Sequence, residues 1–147
     1  MKSIWQESTF KELQDRLAKL TPERPGQWGK FSAPQMVAHI AESFRSSLGE
    51  LTVQSKNLPL RYTPLKQLVI YWLPFPKNAP TAPELVARKP GVWSADVAEV
   101  QDLMNRFVSR KPGDEWPEHA AFGHLTGEQW GILMYRHTDH HFRQFGV

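Results

Sequence analysis

Cysteine is absent from this 147-residue chain. That absence excludes disulfides, thiolate metal ligands and a nucleophilic cysteine, so a transition-metal site would have to use His, Asp or Glu. Long hydrophobic runs are missing too. The longest, LVIYWLPF at 68–75, falls far short of the roughly 20 residues that a membrane-spanning helix needs. Blocks of like charge are also lacking. The formal net charge is only +3, and the Lys and Arg are scattered without forming a basic stripe interleaved with aromatics. The stretch MKSIWQESTFKEL turns charged too soon for a signal peptide. The expectation is a cytoplasmic protein with neither a membrane nor a nucleic acid as partner. Repeats, low-complexity tracts and alternating strand patterns are likewise missing.

What is present fits one domain spanning 1–147. Apolar residues make up 40% and charged residues 22%, the balance of a globular chain. Six Trp and eight Phe supply large surfaces to bury.

Helix punctuation is frequent. Thr9 with Glu12 has the spacing of a capping box, and Phe10, Leu13, Leu17 and Leu20 follow at helical intervals, predicting a first helix over 10–19. Ser32 with Gln35 predicts a second start, Met36, Ile40 and Phe44 an apolar stripe, and Gly49 a stop, giving a helix over 33–48. A short apolar segment, PLKQLVIYWL, lies between Thr63 and Pro74 and should be covered by other elements. Pro74, Pro76, Pro80, Pro83 and Pro90 then forbid regular helix and predict a long extended crossover. Ser94 is expected to cap the next helix, which ends near Arg110. Thr126 with Gln129 opens the last helix, which runs to about Phe145. The predicted fold class is all-α, with four main helices and a short extra one in the crossover.

Chemistry concentrates in the ending YRHTDHHFRQFGV. At about 100° per residue, His137 and His141 fall within the apolar stripe of the last helix, alongside Trp130, Leu133, Met134 and Phe145. Burying each imidazole without a partner costs about 1–3 kcal/mol. One metal ion would satisfy both, because residues i and i+4 stand one turn apart on one face. The third ligand is expected from His39 in QMVAHIAES. It lies about six residues, or roughly 9 Å, from the start of its helix, and the His137/His141 pair is as far from the end of the last helix. Antiparallel packing would bring all three to one height. The ordinary reading of such a pair is a satisfied core or a surface decoration.

His140, at the stripe's edge, is read as a neighbour of the site or a surface residue, and His119 and His124 as ordinary loop histidines. Glu42, one turn after His39, is a solvated glutamate or a base near the ion. Trp28, Trp130 and Arg136 either line a pocket or serve packing and surface charge. Thr138 stands where a zinc protease of the His-Glu-x-x-His type has its general base, which excludes that reaction. Ligands must be neutral to bind, so loading is expected to fail below a pH of about 6.

The segments APQMVAHIAESF and RHTDHHFRQ together resemble the DinB-like superfamily. Its members share one His on the second helix and a His–x3–His pair on the last, often with a second adjacent His and a following Gln. The resemblance implies a four-helix bundle in up-down-down-up order with a long crossover between the second and third helices. It implies His39, His137 and His141 as metal ligands, with Gln144 matching the following Gln. The ion would be Zn²⁺ or Ni²⁺ with water at open positions, although three imidazoles alone also suit Cu or Fe. Several members are transferases or isomerases that use a low-molecular-weight thiol, and some are homodimers. The expectation is therefore a metal-dependent enzyme of the thiol-cofactor transferase type acting on a small molecule. The alternative is a non-catalytic metal-binding or dimerisation module with a structural ion. The insertion PLKQLVIYWLPFPKNAPTAPE departs from the simplest members and could roof the pocket, so no substrate carries over and the catalytic residues stay unassigned.

Overall fold

Capping chemistry at two of the four long helices matches the sequence reading. A computed structural model describes residues 1–147 and contains helices and loops with no strands. The helices are α1 (Glu7–Leu17), α2 (Ala33–Ser47), α3 (Leu65–Gln67), α4 (Trp93–Ser109) and α5 (Gly127–Gln144). Before α2, the Gln35 N–H donates to Ser32 Oγ at 3.3 Å and the Ser32 N–H donates to Gln35 Oε1 at 2.9 Å. Thr126 and Gln129 repeat the exchange before α5 at 3.2 and 3.0 Å. Gly49 follows α2 at φ +80°, a left-handed turn open to glycine without strain.

The other two starts differ from expectation. Thr9 does not cap α1, which begins two residues earlier behind Gln6. Instead Thr9 is buried within the helix and its hydroxyl donates to Gln6 Oε1, while Glu12 pairs with Lys2 and Arg16. The cause lies upstream. Ile4 N–H donates to the Gly131 carbonyl, and the Trp5 indole donates to the Gly127 carbonyl while stacking 4.9 Å from Phe107. These anchors fix the chain on α5 and leave the helix to begin just after them. Ser94 does not cap α4 either, because Val92 holds that position. Asp96 reaches back from the first turn to accept from the Gly91 N–H at 2.7 Å, next to the partial positive charge of the helix start.

The long helices share one buried apolar cluster, with Leu13 and Leu17 from α1, Ile40 and Phe44 from α2, and Phe107 and Phe142 from α4 and α5. Contacts along α2 and α4 ascend together: Arg88 joins Glu42 to Asp96, Arg45 meets Glu99, and Glu50 meets Arg106. Between α1 and α5 they also ascend, from Trp5 on Gly127 to Arg16 on Asp139 at 2.7 Å. Between α2 and α5 they run the other way. Phe31, just before α2, packs on His141, and His39 meets His137.

The crossover is irregular between α3 and α4 apart from two short turns. Leu68–Trp72 continues α3 as a π-helical turn, closed by the Leu73 N–H on the Leu68 carbonyl at 2.8 Å. A 3₁₀ turn spans Pro83–Leu85. The expectation that PLKQLVIYWL is covered fails on one side. Ile70 is buried, while Leu68, Trp72 and Leu73 are exposed, because the segment lies over α5 by one face only. No helix is long and apolar enough to cross a membrane.

Gly131 marks the tightest approach in the fold. A methyl group there would overlap the Trp5 indole and crowd Ser3. Gly131→Ala is therefore expected to destabilise the protein by about 1–3 kcal/mol, outweighing the roughly 1 kcal/mol that alanine gains over glycine in a helix. Urea unfolding should show a lowered midpoint. An unchanged or raised midpoint would mean that Trp5 yields freely and does not anchor the α1 entry.

Candidate metal centre

Three imidazoles from two helices converge on one point. His39 comes from α2, and His137 and His141 from successive turns of α5. Their ring centroids form a nearly equilateral triangle of 5.0, 4.8 and 4.7 Å, with interplanar angles of 72–82°. One nitrogen from each ring lies within 4.8 Å of the others, and no carboxylate joins the group. The spacing arises from the i, i+4 repeat on α5 and from the level of His39 on the facing helix. Phe31 closes one side, 5.3 Å from His39 and 5.9 Å from His141.

Outer hydrogen bonds fix two of the three rings. His39 Nδ1 lies 3.1 Å from the Leu85 carbonyl in the 3₁₀ turn of the crossover. A carbonyl only accepts, which assigns the proton to Nδ1 and leaves Nε2 with a lone pair. His141 Nδ1 lies 2.9 Å from Gln144 Oε1. The Gln144 amide is oriented by its own donation to the Trp28 carbonyl at 2.8 Å, so its oxygen must face His141, whose Nε2 is again unprotonated. A metal-binding imidazole needs this arrangement, with the outer nitrogen donating to an oxygen and the inner one free.

The inner geometry fits an ion. His39 Nε2 and His137 Nε2 stand 3.1 Å apart. His39 Nε2, left with its lone pair, faces His137 Nε2 at a distance bridged either by a proton on His137 or by a shared cation. Nitrogens bound to one zinc at about 2.0–2.1 Å would sit roughly 3.3 Å apart in a tetrahedron.

Electrostatics favour the neutral rings that metal binding requires. Burial lowers the His39 pKa, against the opposing bond to Leu85. Burial, followed by the neighbouring His141 and His39, holds His137 well below its ordinary value. Burial and then His39 push His141 down to about 3.

The remaining side chains separate into distinct roles. Glu42 is neither solvated nor a base at the site: it is buried and paired with Arg45 at 3.1 Å and Arg88 at 3.4 Å. Trp130 belongs to the core, and its indole donates to the Pro117 carbonyl. Arg136 donates to the carbonyls of Val69, Ile70 and Leu73, holding the π turn against α5. His140 is half-buried beside Trp28 and Phe75, with its ring 5.3 Å from that of His141. His124 is exposed.

His119 is not an ordinary loop histidine. Its ring packs on Phe122 and Trp130, and Nδ1 accepts from the N–H groups of Ala121 and Phe122 at 3.0 and 3.2 Å. Burial lowers its pKa to about 4. Sequence reasoning also missed the carbonyls of Leu85 and Trp28. Backbone groups in irregular chain leave no residue-type signal, although Pro83 marked the turn that presents Leu85.

No protein-family model, curated protein or solved structure shows significant similarity to this chain.

Proposed function

We propose that this protein binds a divalent metal ion, Zn²⁺ or Ni²⁺, through His39, His137 and His141. The fold we propose is a DinB-like four-helix bundle in up-down-down-up order. The ascending contacts of α1 with α5 and of α2 with α4, and the opposed run of α2 against α5, support that order. The carrying observation for the ion is the pair of outer bonds, His39 to Leu85 and His141 to Gln144, which turn the free nitrogens inward onto His137.

The ion is proposed to serve an enzyme of the thiol-cofactor transferase type acting on a small molecule. Three neutral ligands with no carboxylate leave a divalent ion Lewis-acidic and open to a further ligand. When bound, the ion would supply a polarising charge for water or a thiolate. The protein's own part is to hold three imidazoles neutral, fix their direction through Leu85 and Gln144, and exclude water with Phe31.

A second reading is a structural ion in a non-catalytic module that forms a homodimer. The exposed Leu68, Trp72 and Leu73 favour it by offering an apolar face for an interface.

Chelation separates the two readings. The helices have a large apolar core independent of the histidines, so stripping the metal is expected to move the melting temperature by only a few degrees. Metal-loaded protein should bind a thiol cofactor, measured by calorimetry, and stripped protein should not. A melting temperature that collapses on chelation, with no thiol bound in either state, favours the structural ion.

A further inference from the structure

A cavity of about 480 Å³ lies beside the histidine cluster, and His140 belongs to its wall while packing against His141. Its charge is unbalanced. Asp139 is its one acidic lining residue, and that carboxylate is already held by Arg16 at 2.7 Å and Arg143 at 3.0 Å. Lys2 is paired with Glu12.

Lys77 and Arg136 remain, and neither has a carboxylate within ion-pair distance. Lys77 Nζ sits 4.5 Å from the centre of the Trp28 ring, and the Arg136 guanidinium 5.0 Å from that of Phe75. Arg136 also donates to the carbonyls of Val69, Ile70 and Leu73, whereas Lys77 rests on an aromatic face alone, which attracts it but leaves its charge uncompensated. On the same wall Trp72 presents an indole that is 75% exposed. An exposed flat indole and the uncompensated Lys77 ammonium, in one cavity of ligand size, offer a stacking surface and a counter-charge together.

The geometry points to a binding site for a small planar aromatic anion in this cavity. Trp72 takes the ring and Lys77 takes the charge, while Arg136, held on Phe75 and on the π-turn carbonyls, adds only to the positive field. The site needs no metal ion, so it goes beyond the proposed metal function whose histidines it borders.

Titration calorimetry of the whole protein with 2-naphthoate tests the assignment, with 2-naphthylmethanol as the uncharged match. The carboxylate is expected to bind about tenfold more tightly than the alcohol at low salt. Trp72→Ala and Lys77→Gln should each weaken it by about fivefold. Both residues lie off the core, and unchanged helical signal in the variants confirms that the fold is intact. Each titration is repeated on chelator-treated protein, where the affinity should persist.

Equal affinity for carboxylate and alcohol, no saturable binding, or unaltered affinity in both variants overturns the assignment. Binding that vanishes on chelation and ignores both substitutions puts the carboxylate on the ion instead. That result overturns the cavity while leaving the metal reading intact.

Discussion

Alanine at His39, His137 or His141 is expected to abolish stoichiometric metal in protein purified with Zn²⁺ or Ni²⁺, whereas His140→Ala and His124→Ala should keep it. All six histidines occur in the chain, yet only these three place a nitrogen within 4.8 Å of one another. Losing one leaves two ligands, too few to hold an ion against buffer and chelator. His140 faces the cavity and His124 faces solvent. Gln144→Leu should have an intermediate effect, with metal affinity falling about 10–100-fold. The His141 Nδ1–H would lose its acceptor and the Trp28 carbonyl its donor. Elemental analysis, and competition with a chromophoric chelator, measure the series. Equal metal loss in His140→Ala and the three ligand variants would place the ion elsewhere.

The histidine cluster was legible because helical periodicity states which residues share a face. His137 and His141 were fixed by the i, i+4 rule, and His39 by matching levels on two helices. The capping boxes at Ser32 and Thr126 were legible for a similar reason, since their partners lie three residues away. Thr9 has the same spacing, yet contacts of Ile4 and Trp5 with α5 override it. Local spacing cannot report a contact made more than a hundred residues away. The same limit hid Leu85, Trp28, the burial of Glu42 and the contacts of His119, all of which depend on the path of irregular chain. An extended crossover was legible from its prolines, but its placement over His39 was not.

Acid is expected to unfold the metal-free protein earlier than carboxylate titration alone would. In the unfolded chain each imidazole titrates near 6.5. In the folded protein burial lowers His39, His137 and His140, and takes His119 to about 4 and His141 to about 3. The unfolded state therefore binds more protons below pH 6.5 or so, and stability falls with pH there. The stabilisation is fully present above about pH 6.5 and drains away as pH falls toward the folded values. His119 alone accounts for on the order of 3 kcal/mol across the interval from 6.5 to about 4. A metal bound at the proposed site would stabilise the folded state further and should move acid unfolding to lower pH. Because burial lowers all three rings, loading is expected to persist to lower pH than the value near 6 that an ordinary imidazole would dictate. Urea titrations between about pH 8 and pH 4, with and without metal, measure the slopes. His119→Asn isolates the contribution that lies outside the proposed metal site. Its amide oxygen can still accept from the N–H groups two and three residues on, but it carries no proton to exchange. That variant should be less stable near neutrality, through lost packing on Phe122 and Trp130, and should show a shallower fall with acid. A variant as acid-sensitive as the parent would mean that His119 charges without unfolding the loop it stitches.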